Sequence, residues 1–75
     1  MEAEKNELII KERLKEVIYL FGDNFTDLAQ HLDITYQSLS KKLNGHSDFK
    51  LGEIKRIQER YNIDADTLFY IFIDN

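Results

Sequence analysis

The chain has no cysteine, no proline and only three glycines in 75 residues. Without cysteine there are no disulfides and no thiolate metal sites, which fits a reducing compartment. Without proline, and with so little glycine, helices joined by short connections are the expected architecture. Long apolar runs are missing too. The longest is far too short to span a bilayer, and the opening stretch MEAEKNELIIKERLKE is charged where a signal peptide would be apolar. The expectation is a cytoplasmic protein with no membrane partner.

Excess positive charge is also absent: the net charge is −4. Taken alone this argues against nucleic acid, because phosphate binding needs basic surface. The distribution is more informative than the sum. Residues 35–50 carry Lys41, Lys42 and Lys50 against Asp48 alone, whereas residues 23–34 carry Asp23, Asp27 and Asp33 and no lysine or arginine. Residues 51–75 hold three basic and five acidic residues. Positive charge is therefore focused on one short segment of an acidic chain, an asymmetry that can orient a protein on DNA.

A chain of this length builds one core, so residues 1–75 are read as a single domain. The hydrophobic fraction of 43% is ordinary for a globular protein. A core this small contributes only a few kcal/mol of net stability, to which dimerisation would add.

The apolar periodicity predicts five helices. The first runs from about Glu4 to Leu20, with Ile10, Leu14, Val17, Ile18 and Phe21 as its stripe. Gly22, Asp23 and Asn24 end it. Asn24 caps a second helix, about Phe25 to Leu32, with Asp27 completing a box-like pair; its buried face is Leu28, Ala29 and Leu32. Asp33 and Ile34 make the turn. Thr35 caps a third helix, about Tyr36 to Leu43, which buries Leu39 and Leu43. Asn44-Gly45 is a strong stop, since both residues tolerate the left-handed conformation. After a loop anchored by Phe49, a fourth helix spans Leu51 to Tyr61, with Leu51, Ile54, Ile57 and Tyr61 on one face, and Asn62 closes it. Asp64 caps a fifth helix, about Ala65 to Phe72. The fold class is a compact all-α, five-helix globule.

No enzyme constellation emerges: there is no cysteine, no P-loop and no glycine-rich phosphate cradle. His31 and His46 lack metal-ligand spacing. The expectation is a non-enzyme without cofactor or metal.

The segment from Phe25 to Ser40 resembles the helix-turn-helix of short phage and prophage regulators of the Cro/repressor, lambda-repressor-like (XRE-type) superfamily. Leu28-Ala29, Ile34-Thr35, Leu39 and Asn44-Gly45 carry the resemblance, and Phe49-Lys50-Leu51-Gly52-Glu53-Ile54 and Ile63-Asp64-Ala65-Asp66 extend it through the fourth and fifth helices. Three positions depart from the pattern. Asp33 stands where the family often has Gly, Phe25 where Gln is common, and Tyr36 where many members carry the first base-reading Gln.

The resemblance implies a sequence-specific transcriptional regulator that lays its third helix in the major groove of double-stranded DNA. Its base-contacting residues would be Tyr36, Gln37, Ser40 and Lys41, with Gln suited to adenine and Lys to guanine. Phosphate contacts would come from Thr35, Ser38, Lys42, Asn44, His46 and Lys50, and from the start of the second helix at Asn24 and Phe25. Lys50 puts a cation at the positive end of the fourth helix, a conflict that a phosphate would relieve.

Such regulators bind two-fold operators as homodimers. The apolar run from Leu68 to Ile73 supplies the expected dimer surface. As a helix it would turn Leu68, Phe69 and Phe72 inward and expose Tyr70, Ile71 and Ile73; as a strand it would pair across a dimer. The alternative function is a helix-turn-helix module that binds a phage or host protein, favoured by the acidic net charge, Phe25 and Tyr36.

Overall fold

The structure of the protein, a computed structural model, describes the backbone of residues 2–73 and the side chains of residues 10–73. Five α-helices follow in order: α1 (Glu2–Leu20), α2 (Phe25–His31), α3 (Tyr36–Leu43), α4 (Leu51–Tyr61) and α5 (Ala65–Phe72). No strand occurs among the described residues.

The helices are sharply punctuated at both ends. Three begin with a side-chain cap that the residue types dictate: Asn24 Oδ1 accepts the Asp27 amide at 2.8 Å, Thr35 Oγ1 the Ser38 amide at 3.0 Å, and Asp64 Oδ1 the Thr67 amide at 2.7 Å. The Asp64 carboxyl is held below its ordinary pKa by its hydrogen bonds to Thr67.

Four of the five helices end in one motif. Its left-handed residue is Gly22, Asp33, Gly45 or Asn62, with φ of 64°, 60°, 80° and 51°. In each case the next amide reaches back to the last turn: Asp23 to Ile18, Ile34 to Ala29, His46 to Lys41 and Ile63 to Gln58, at 2.9–3.0 Å. This is the Schellman arrangement, which satisfies the orphan carbonyls and reverses the chain within a few residues. It explains how a proline-free chain makes short connections. At the Asn44-Gly45 stop only Gly45 is left-handed; Asn44 stays at φ −94°.

One cluster forms the core: Leu14 and Ile18 of α1, Leu28, Ala29 and Leu32, Leu39 and Leu43 of α3, Ile57 and Tyr61 of α4, Ile63, and Ile71 of α5. Ala29 is buried, and its small side chain lets α3 pack closely on α2. Burying apolar area at roughly 25 cal/mol per Å2 is the main force holding the helices. In α1 and α4, two expected core residues lie outside. Phe21, the last of the α1 stripe, is exposed and meets the edge of Tyr61 at 5.5 Å, and Leu51 is exposed at the start of α4. Both sit at helix termini, where the chain has already left the packed face.

Two ion pairs fasten the helix-turn-helix to α4. Asp23, just before α2, accepts from Arg60 Nε at 2.8 Å and from the Tyr61 hydroxyl at 2.6 Å. The Arg60 hydrogen bond is the main cause holding the Asp23 carboxyl well below the usual carboxylate range. Burial, then the bond to Asp23, pushes the Tyr61 hydroxyl up. The second pair, Lys42 with Glu53 at 3.2 Å, lies between α3 and the start of α4.

Candidate nucleic-acid interface

α2 and α3, joined by residues 32–35, form the helix-turn-helix, and the turn is made by Asp33 at φ 60°. Where glycine would sit without strain, Asp tolerates the conformation at a cost. Ile34 follows and packs on the core, which sets the angle at which α3 leaves.

α3 is divided by burial. Leu39, Lys42 and Leu43 point inward, and Tyr36, Gln37 and Lys41 point to solvent, with Ser38, Ser40 and Asn44 half-buried along the edges. Helical rotation aligns Tyr36, Gln37, Ser40 and Lys41 into one stripe. Tyr36 is 54% exposed, so a large part of it is open to solvent. The helix is roughly 12 Å long, enough to cover three to four base pairs at about 3.4 Å each.

Of the expected phosphate-binding residues, Ser38 is half-buried at the edge of α3, and the other seven divide into two groups. Thr35, His46 and Lys50 are exposed around the stripe, on the cap of α3, the loop after it and the start of α4. The Thr35 oxygen accepts the Ser38 amide, which leaves its hydroxyl proton free to donate. Four others are otherwise engaged.

Lys42 is a correction. It is only 8% exposed, donates to the Asp48 carbonyl at 3.0 Å and pairs with Glu53, so it does not face a ligand. Neighbouring positions on a helix lie about 100° apart, and that rotation sends Lys41 out and Lys42 in. Asn44 is a second correction: its amide nitrogen donates to the Ser40 carbonyl at 2.9 Å and lies 3.3 Å from the Ser40 hydroxyl oxygen, while its own oxygen accepts from Lys11 at 3.5 Å. Its donors are spent on closing α3.

The start of α2 is a third. Phe25 packs against the core, Asn24 caps Asp27 through both its oxygen and its nitrogen, and the acids Asp23 and Asp27 flank that helix end. The exposed Asp27 carboxylate in the first turn already complements the positive helix end and opposes a phosphate there, whereas Asp23 is paired with Arg60.

The conflict expected at Lys50 is resolved inside the protein. Lysine has no acceptor to cap α4, but Glu53 supplies the reciprocal half of a capping box, accepting the Lys50 amide at 2.9 Å. That carboxylate sits in the first turn of α4 and neutralises the positive helix end without a phosphate.

Sequence reasoning missed Arg56. It lines an open cleft with Lys50, Gly52 and Glu53 against Leu32, Asp33 and Ile34 of the turn, adding a second exposed cation beside the helix-turn-helix. It lies in the acidic final third of the chain, where a count of local charge hides it.

On the far side, α5 is a helix, which removes the strand alternative for residues 68–72. Its faces are turned relative to expectation. Ile71 is 1% exposed and belongs to the core, whereas Phe69, expected inside, is 51% exposed. Tyr70 and Ile73 are exposed as expected. The docking of α5 on α1 decides this: the Arg13 guanidinium covers one face of the Tyr70 ring at 3.7 Å and donates to the Tyr70 carbonyl, and Phe72 meets the edge of Phe49 at 5.3 Å.

Among the described residues, no helix is long and apolar enough to cross a membrane. Comparison with curated proteins and with solved structures returns no match. One family model, the BetR domain, matches residues 5–74. The chain therefore belongs to the BetR domain family, a small helical domain of helix-turn-helix type, and this points to a DNA-binding regulatory role.

Proposed function

We propose that this protein is a sequence-specific transcriptional regulator of the phage repressor or Cro-like kind, acting in the cytoplasm as a homodimer without a catalytic step. The observation that carries the reading is the division of α3. Its apolar residues and one lysine are buried, and Tyr36, Gln37 and Lys41 are left together on the outer face of a capped helix. Gln37 pairs with adenine and Lys41 with guanine through the major-groove edge. Tyr36 meets a thymine methyl or donates to a phosphate, and Ser40 lies at the side of the same stripe. Thr35, Ser38, His46 and Lys50 hold the backbone, joined by Arg56.

A helix reaching three to four base pairs gives little specificity alone, which favours a dimer on a two-fold site. Phe69, Tyr70 and Ile73 supply its apolar contact. The test is selection of bound duplexes from a random pool, with sedimentation of the free protein. The expected result is a short, two-fold consensus whose binding weakens with salt and is weakened by Gln37→Ala or Lys41→Ala. A pool that yields no duplex better than random at low salt overturns the reading.

A second reading, a module that binds a protein, has one specific observation in its favour: an exposed aromatic, Tyr36, at the head of α3 on a chain of net charge −4. A stoichiometric protein partner lost on Tyr36→Ala, with no DNA selected, would favour it.

A further inference from the structure

Lysine is rarely buried, and when it is, its charge must be paired. Lys42 is the one position on the inner face of α3 that carries a charge, between Leu39 and Leu43 of the core. Its ammonium reaches two places beyond its own helix: the Asp48 carbonyl in the loop after α3, and Glu53 in the first turn of α4. The same Glu53 oxygen also accepts the Lys50 amide. The Lys42 ammonium and one Glu53 oxygen together gather α3, the following loop and the α4 N-terminus at a single point. The two proposed phosphate contacts of that region, His46 and Lys50, are borne on the chain so gathered.

An apolar pair would fill this space at least as well energetically, because taking two charges out of water largely cancels their attraction. What an apolar pair lacks is direction. Packing of methylenes tolerates a helix sliding or rolling by a fraction of an ångström, whereas a carboxylate accepting two aimed donors does not.

We propose that the Lys42–Glu53 pair is a positioning device for DNA reading: it fixes the roll of α3 and the place of the His46–Lys50 loop relative to it, so that base and phosphate contacts are made in one register. Lys42 and Glu53 act through Gln37, Lys41 and Lys50 and do not touch the DNA themselves. The inference rests on the DNA-binding reading given above.

The experiment compares the full chain with the double variant Lys42→Met/Glu53→Leu, which replaces the pair by apolar groups of similar size. The single variants leave one buried charge unpaired and are expected to fold poorly, so the double variant carries the test. Three quantities are measured: the urea midpoint, affinity for a duplex selected by the wild-type protein, and affinity for a random duplex of equal length. The expected result is a midpoint near or modestly below that of wild type, because the variant also takes these partners from the Asp48 carbonyl and the Lys50 amide, with random-duplex affinity within about threefold and a selected-to-random ratio reduced by about tenfold or more, the size of a misplaced base contact.

Two outcomes overturn the inference while leaving the DNA reading intact: a double variant that folds and keeps the wild-type ratio, or one that does not fold, which would make the pair a stability element. A wild-type protein that selects no duplex overturns both together.

Discussion

Asp23–Arg60 and Lys42–Glu53 flank the helix-turn-helix on opposite sides, and each joins it to one end of α4. They are built differently. At the first junction the carboxylate is nearly buried, but the Arg60 side chain remains 29% exposed, and a tyrosine hydroxyl shares the load. At the second, the carboxylate is as exposed as Asp23, at 11%, but the lysine is only 7% exposed, and the rest of the bonding is to backbone: the Asp48 carbonyl and the Lys50 amide. A charge that keeps contact with water can be left unpaired cheaply, and a fully enclosed one cannot. The first junction is therefore a brace that loosens by degrees, and the second a lock that holds or fails.

The two junctions differ most when one carboxylate is removed from each. Glu53→Leu strands the Lys42 ammonium in the core and frees the Lys50 amide. The expected loss is about 3–5 kcal/mol in urea unfolding, most or all of the stability of so small a domain. An equal loss at both junctions would erase the distinction.

Asp23→Asn keeps an acceptor for Arg60 and Tyr61 but removes its charge, so the loss should be smaller, about 2 kcal/mol at neutral pH. It should also alter the pH dependence. Because the folded Asp23 pKa lies below the unfolded value of about 3.9, ionised Asp23 stabilises the fold. That contribution is complete above about pH 5 and fades as pH falls through the acid range. Thermal melts between pH 7 and pH 2 should show a shallower acid decline in Asp23→Asn than in wild type. Parallel declines would mean that Asp23 is not the group responsible.

The smallest effect is expected beside the first junction. Gly22 has φ +64° with no atom near where a Cβ would stand, so Gly22→Ala meets only the backbone cost of a left-handed residue, about 1 kcal/mol. A loss as large as that of Asp23→Asn would mean that the α1–α2 corner, and not the ion pair, sets the strength of this end.

The turns and caps were the most legible part of the molecule. Asn24, Thr35 and Asp64 cap because a short side-chain oxygen at that position reaches an amide three residues on, a contact that depends on nothing distant. The inward faces of α2 and α3 were legible for a related reason: Leu28, Ala29, Leu39 and Leu43 stand among polar neighbours, so periodicity has contrast to work with. In the candidate interface the same contrast identified Tyr36, Gln37 and Lys41 as outward. It failed for Lys42 and Asn44, whose polarity is spent inside the protein, on Glu53 and Asp48 and on Ser40 and Lys11.

Helix ends, to within a residue or two, and the outward place of Tyr36, Gln37 and Lys41 follow from local sequence, because capping, left-handed stops and amphipathic contrast act over a few residues. Packing settles which lysine of the adjacent pair is buried, since its partner Glu53 lies on another helix. It likewise decides which face of α5 is inside. In an unbroken apolar run such as Leu68 to Ile73 every face is equally oily, and the choice of Ile71 over Phe69 falls to the helix against which it packs.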